Sequence, residues 1–201
     1  MSGAERKTFV IVGCGSAKRE RELEPGTLRV KRYPAKDLYT STYFGKKREY
    51  AETVGDQWMI LSAEHGLFPP DEEIKPYDTT IDDLDDGQLD ALAHRVGMTL
   101  IEWISWEQGE GNEVAEVIVL AGRSYIDPLR ERETFHAGIE PRVTFPLQQR
   151  DLGGIGEQMS WLKERVESYQ HHQTTLIPAT DGGNACNVQP ASERQNHEEQ
   201  A

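Results

Sequence analysis

Cysteine, lysine and long apolar runs are all scarce in this chain, and each shortage removes a class of protein. Only Cys14 and Cys186 occur in 201 residues, far apart, so neither a disulfide framework nor a cysteine-based zinc site is expected. No apolar run approaches the roughly 18–20 residues that cross a bilayer, which argues against a membrane-spanning helix. The polar Met1–Lys7 runs straight into Phe9–Val12 with no longer apolar stretch, so no secretory leader is expected and a cytoplasmic location is. The length suits one domain of ordinary size with a tail.

Lysine is outnumbered by arginine, and 35 acids stand against 22 Lys and Arg for a formal net charge of -13. An acid-rich, lysine-poor surface keeps its hydration and stays dispersed at high salt, which points to a halophilic setting. The charge is also unevenly spread. Residues 1–50 hold 12 of the bases and 6 acids, whereas residues 51–113 hold 2 bases and 16 acids. An anionic ligand would meet the first fifty residues, unless those bases are simply solvated.

Hydrophobic patterning gives alternating strands and helices. Thr8–Val12, Gln57–Leu61 and Val114–Leu120 read as buried strands, with Arg142–Phe145 as a fourth. Helices are expected from Thr40-Ser41 through Glu52, over Leu89–Trp106, around Asp127–Glu133 and over Gly153–Tyr169. In the first of these, Tyr43, Phe44, Lys47, Tyr50 and Ala51 fall at helical spacing. The polar basic stretch up to Pro34 and the Pro- and Asp-rich stretch 69–87 read as loops. From residue 170 to 201 apolar residues almost vanish, and that polar tail is expected to be disordered, with His171-His172 carrying no metal. The order implies a single α/β domain over 1–169, a three-layer sandwich around a mostly parallel four-stranded sheet.

In such sheets ligands sit beyond the carboxyl ends of the strands. After the first strand come Gly13-Cys14-Gly15-Ser16-Ala17-Lys18, after the second Ser62-Ala63-Glu64-His65-Gly66, and after the third Ala121-Gly122-Arg123-Ser124-Tyr125. The first is not a Walker loop, because no Gly precedes Lys18 and no hydroxyl residue follows it; nor does it complete G-x-G-x-x-G. What remains is a glycine-flanked turn whose amides, with Lys18, suit a phosphate or carboxylate. No cofactor or metal motif is present. Asp82, Asp83, Asp85 and Asp86 match no calcium-loop spacing and read as helix N-terminal carboxylates.

Each candidate carries two readings. Cys14 is a nucleophile helped by Lys18, or a small hydrophobe closing a strand. His65 is a general acid or base beside Glu64, or a structural loop histidine. Arg123 suits an anion clamp, and Tyr39 or Tyr125 a stacking surface, where Tyr125 equally suits a cap on the core. Asp37 suits a ligand donor, while Thr40 or Ser41 is a contact or only a helix cap. Tyr77 and Asp78 lie in the long loop after the second strand, where a lid would sit.

The ordered set Gly13-Cys14-Gly15…Lys18, Asp37-Leu38-Tyr39-Thr40-Ser41, Leu61-Ser62-Ala63…His65-Gly66-Leu67 and Pro76-Tyr77-Asp78 resembles an uncharacterised family of small microbial and phage proteins, over about residues 8–165. A fainter similarity links it to the uracil-DNA-glycosylase-like domain of archaeosine synthases, which also places a cysteine loop after its first strand and a Tyr-Asp pair further on. That resemblance implies a base- or nucleotide-recognising sandwich acting in modified-nucleoside chemistry. The chain departs from the glycosylases proper in holding Cys14 and Ser16 where they carry a water-activating acid.

These observations lead to an expected enzyme of nucleobase or nucleotide metabolism. Gly13, Gly15, Ser16, Lys18 and Arg123 would hold an anion, with Ser41, Ser62, Asp37, Tyr77 and Asp78 nearby. Tyr39 or Tyr125 would stack, and His65, Glu64 and Cys14 would do the chemistry. The partner would be a small-molecule base or nucleotide, or a nucleic acid. Two alternatives remain: a non-catalytic nucleotide- or nucleic-acid-binding module, and a protein-interaction domain that uses the acidic stretch 71–90.

Overall fold

A computed structural model describes residues 4–135, 139, 141–148 and 152–176. Strand β1 (Arg6–Gly13) leads through β2 (Tyr33–Pro34) and the single turn α1 (Ala35–Leu38) to helix α2 (Thr42–Val54). There follow β3 (Gln57–Ser62), β4 (Gly66–Phe68), β5 (Glu73–Ile74) and helix α3 (Asp86–Gly109). The last described elements are β6 (Glu113–Leu120), α4 (Arg123–Glu131), β7 (Arg142–Thr144) and α5 (Ile155–Leu176).

Five strands, not the expected four, make the main sheet, in the order β4-β3-β1-β6-β7. The pairs β1–β3, β1–β6 and β6–β7 are parallel, and β4 folds back antiparallel on β3. This extra strand escapes the periodicity because it is three residues long and joined to β3 by a tight turn. Gly66 closes that turn at φ +75, where a side chain would be strained and would also meet the Arg95 side chain at 3.0 Å. A separate two-stranded ribbon, β2 with β5, ties together the two stretches that read as loops.

Strand alternation divides the core between two layers. Phe9 and Ile11 of β1 face Leu92, Val96, Leu100 and Leu129 of α3 and α4, while Val10 and Val12 face Phe44, Ala51, Leu162 and Val166 of α2 and α5. Phe9 stacks on Trp103 with ring centres 3.8 Å apart. A helix layer on either side of the sheet results, which is the three-layer α/β sandwich.

Helix ends follow their caps. Ser41 caps α2 through Phe44 N, and Asp85 caps α3 in a reciprocal pair with Gln88. Helix α4 begins at Arg123, four residues before the expected start, and Pro128 lies inside it. Helix α5 runs on to Leu176, so the polar stretch becomes helical at first: Thr174 and Thr175 hydroxyls bond back to the carbonyls of Gln170 and His171. The tail expected to be disordered over 170–201 is thus helical as far as Leu176, and its remainder, 177–201, lies outside the described residues.

From β1 the chain crosses to β3 on one side, whereas β6 is on the other side of β1, and the loops after β1 and β6 lead to opposite helix layers. Such a switch point opens a crevice at the carboxyl edge. Cys14 and Gly122–Tyr125 stand at that crevice.

Candidate functional site

Gly13 ends β1 where the backbone runs hard against β6: a Cβ there would lie 2.8 Å from that of Ala121. This close approach accounts for the glycine and brings the loops after β1 and β6 together. The next residue, Cys14, is half-buried, and its Sγ lies 3.3 Å from the Tyr125 hydroxyl. The same hydroxyl oxygen accepts the Ala63 N–H at 3.2 Å. Its single proton is therefore free to point at the sulfur. Three loops that are distant in sequence meet at these two contacts.

A chain of hydroxyls continues inward. Ser62 Oγ, fully buried, accepts the N–H groups of Glu64 and His65 at 3.1 and 3.3 Å, so its own proton goes to Tyr77 Oη at 2.7 Å. Tyr77 Oη in turn lies 2.6 Å from Tyr39 Oη. Burial pushes the hydroxyls of Tyr39, Tyr77 and Tyr125 well above the ordinary phenol range, and the electrostatic influence of nearby Cys14 adds to it in each. They serve as neutral hydrogen-bonding groups.

Behind this cluster is a lysine that the motif reading left in a helix stripe. Lys47 is only 3% exposed, and its ammonium donates to the carbonyl of Gly13, the peptide that Cys14 follows. Desolvation brings Lys47 down to about 8, with an electrostatic influence of the neighbouring Cys14 acting in the opposite direction. The spacing of Phe44, Lys47 and Ala51 on one helical face was the signal that would have exposed it: a cation on a buried stripe.

Two clefts share the Ser16–Lys18 ridge. One, of about 200 Å³, is lined by Cys14, Gly15, Thr79, Asp82, Ser124 and Tyr125 besides the ridge. The other, of about 260 Å³, is lined by Arg19, Glu20, Arg21, Pro76, Tyr77 and Asp78 besides the ridge. Lys18 Nζ rests 4.4 Å above the Tyr77 ring and so stands between them. Helix α4 opens on the first cleft with Gly122 as its cap and no side-chain bond there, and the N–H groups of Tyr125 and Ile126 both return to Gly122 O. The amides of Arg123 and Ser124 precede them and have no helical partner, which makes that end attractive to negative charge.

Several expected site residues do other work. Asp37 is ion-paired with Arg48 at 2.9 Å, so it is not a waiting ligand contact. Ser41 is a helix cap that sits against Gly15. Glu64 does not orient His65: its carboxylate accepts from the Thr79 hydroxyl. The His65 ring packs edge-on against Phe68 and Tyr77, with ring centres 5.3 and 4.9 Å away, and its Nε2 is buried without a hydrogen-bond partner among the described residues. Burial holds its pKa below the ordinary histidine range. His65 lines neither cleft and reaches them only through Tyr77. Arg123 is exposed and leaves the lining of the first cleft to Ser124 and Tyr125. Tyr39 is buried, so its ring is not open for stacking, whereas Tyr125 is partly exposed on the cleft wall. Among the acids, Asp85 and Asp83 are spent on capping the starts of α3 and of the turn before it. Thr79, Ser124 and Lys47 are the participants that motif reading missed.

A similar protein is the "Uncharacterized protein YfjM" of Bacillus subtilis (strain 168), 28% identical over 165 residues that cover 80% of this chain and 96% of the relative. No solved structure matches. A family model covers residues 9–164, from the middle of β1 into α5, and so takes in every residue of both clefts. The chain belongs to the family of unknown function DUF6884.

Proposed function

We propose that this protein is an enzyme acting on a nucleobase, nucleoside or nucleotide, with Cys14 as the reacting group. One observation carries the reading: Cys14 Sγ stands at 3.3 Å from a hydroxyl whose oxygen is already committed to Ala63 N–H, on the wall of an open cleft at the sheet's switch point. A cysteine serving only as core filler has no need of an oriented donor. Each cleft alone is smaller than the roughly 300–1,000 Å³ of ordinary ligand sites. A nucleotide laid across the Ser16–Lys18 ridge fills both, its reacting portion beside Cys14 and Tyr125 and its phosphate toward Lys18, Arg19 and Arg21. The open α4 amides also favour an anionic group. A uracil-DNA-glycosylase-like arrangement of the sandwich is part of the same reading, in line with the cysteine loop after β1 and the Tyr77-Asp78 pair. His65 is retained only as a support for Tyr77.

The test is a thermal-shift screen of bases, nucleosides, nucleotides and short oligonucleotides. A ligand held at about a hundred times its Kd stabilises by roughly 2.7 kcal/mol. A hit is expected among the nucleotides, lost in Lys18→Ala and kept in the conservative Cys14→Ser. A screen in which no base-containing compound shifts the transition would overturn the reading.

The basic excursion favours a second reading, a module that binds nucleic acid without reaction. Arg19, Arg21 and Arg32 donate to the carbonyls of Asp37, Pro76 and Glu73, not to carboxylates, so these bonds leave their charge uncompensated. Under this reading oligonucleotides bind more tightly than mononucleotides, and log K falls with log salt by about 0.7 for each phosphate contacted on a single strand.

A further inference from the structure

Buried lysines are normally paired with a carboxylate, because an isolated ammonium in low dielectric costs several kcal/mol. Among the described residues no carboxylate lies within ion-pair distance of Lys47. Among the described residues its ammonium bonds only the carbonyl of Gly13, with the Tyr43 and Phe44 rings 4.8 and 6.0 Å from it. The ionisable groups facing this region are Tyr43 on its own helix, Tyr39 after α1, Tyr77 after β5, Tyr125 on α4 and Cys14 on the β1 loop, with Lys18 and Asp82 across the cleft. Burial keeps the four tyrosines protonated through the neutral range. Asp82 stands on the far wall of the cleft and makes no ion pair with Lys47 among the described residues, which leaves the sulfur of Cys14, on the peptide that the Lys47 ammonium bonds, as the neighbouring group able to supply an anion.

We propose that Lys47 is the buried counter-charge of Cys14, steadying negative charge on the sulfur from beneath the Gly13–Cys14 peptide while the Tyr125 hydroxyl steadies it from the cleft side. Lys47 is a positioning residue in this scheme: it is enclosed, touches no ligand and acts through the sulfur. The arrangement gives Cys14 an electrostatic partner inside the protein that persists whether or not a ligand is present. It also explains why an ammonium is tolerated on the apolar face of α2. The inference rests on Cys14 being the reacting group, not on the chemistry of the ligand.

Iodoacetamide tests it directly, since the sulfur electron pair forms the S–C bond as the C–I bond breaks and iodide leaves. In a Cys186→Ser background, alkylation of Cys14 is followed by mass spectrometry in the parent and in Lys47→Met, which keeps the volume and removes the charge. Loss of one favourable charge contact of about 1.4 kcal/mol is a tenfold change. At about pH 7.5 the Lys47→Met rate is expected to fall at least roughly tenfold, the gap closing as pH approaches about 10, where hydroxide rather than the lysine sets the sulfur's charge. A merely structural lysine would change the rate equally at every pH, and either that result or equal rates would overturn the proposal. Should Lys47→Met fail to fold, the reciprocal measurement decides. In Cys14→Ala, the Lys47 ammonium followed by NMR is expected to titrate at lower pH than in the parent, and an unchanged titration overturns the pairing. A failed nucleotide screen leaves either result standing, so the two readings fail separately.

Discussion

Lys47 and the tyrosines around Cys14 respond to alkali in opposite directions. Desolvation brings Lys47 to about 8 in the folded chain, against 10.5 for an ordinary lysine. Between those values the unfolded chain binds more protons, so stability rises as pH climbs through that window. Tyr39, Tyr77 and Tyr125 have their ionisation raised by burial, so above about pH 10 the unfolded tyrosines lose protons that the folded ones keep, and stability falls. Urea titrations across this range are expected to show a maximum near pH 9–10, roughly where the two trends cross. In Lys47→Met the rise on the low side disappears and the fall above it stays; a rise of unchanged size would assign it to other groups. On the acid side His65 is the residue to follow. Its pKa is held below the histidine value by burial, so its contribution is present above about 6.5 and is lost as pH falls through that value. His65→Phe removes the unpartnered Nε2 and is expected to leave stability at neutral pH unchanged or higher by about 1 kcal/mol, with a flatter acid limb. A loss of more than roughly 2 kcal/mol in urea would mean that the nitrogen has work to do.

At the level of elements, what is long and periodic was legible and what is short was not. The stripe Leu92, Val96 and Leu100 announces α3, and the β-branched runs announce β1 and β6 because both faces of those strands are buried. Strands β2, β4 and β5 span two or three residues each, too few for any period, and exist only because another segment pairs with them. Helix α4 starts at Arg123, before the expected Asp127, and accommodates Pro128 inside it. The aspartates before α3 are a case where spacing sufficed. Asp85 accepts from Gln88 N at 2.8 Å while Gln88 returns the bond to Asp85 N. Asp85→Ala is expected to lower stability by about 1 kcal/mol, with Asp82→Ala near zero. Calcium at about millimolar levels is expected to leave the transition unmoved in both, since the spacing is not that of a calcium loop. Equal effects from the two substitutions, or a calcium-dependent shift, would mean that the cluster binds an ion.

For the whole molecule, topology did most of the prediction. Once strands alternate with helices, the loops after β1, β3 and β6 must share an edge, and Cys14, Ala63 and Tyr125 meet there. Which side chains point inward was not legible, because it depends on packing: Gly13 against Ala121 turns the loop, and Lys47 comes up beneath it from α2. Net charge acts at the same scale. The acids of residues 71–90 have few basic partners, Lys36 to Asp71 and Arg132 to Asp86 and Asp90 among them, and most of those acids are exposed. Exposed pairs of this kind contribute about 0–1 kcal/mol each, whereas repulsion within a -13 surface is summed over many charges. Raising KCl from about 0.1 to 1 M shortens the screening length from roughly 10 to 3 Å, weakening both attraction and repulsion. Because like-charged neighbours outnumber opposite ones over the acidic half, the melting temperature is expected to rise across that range by scanning calorimetry. Choline chloride should act as KCl does if screening is the cause, whereas an increase confined to KCl would point to specific ion binding. A falling transition would mean that the ion pairs around Arg48 and Arg132 outweigh the repulsion.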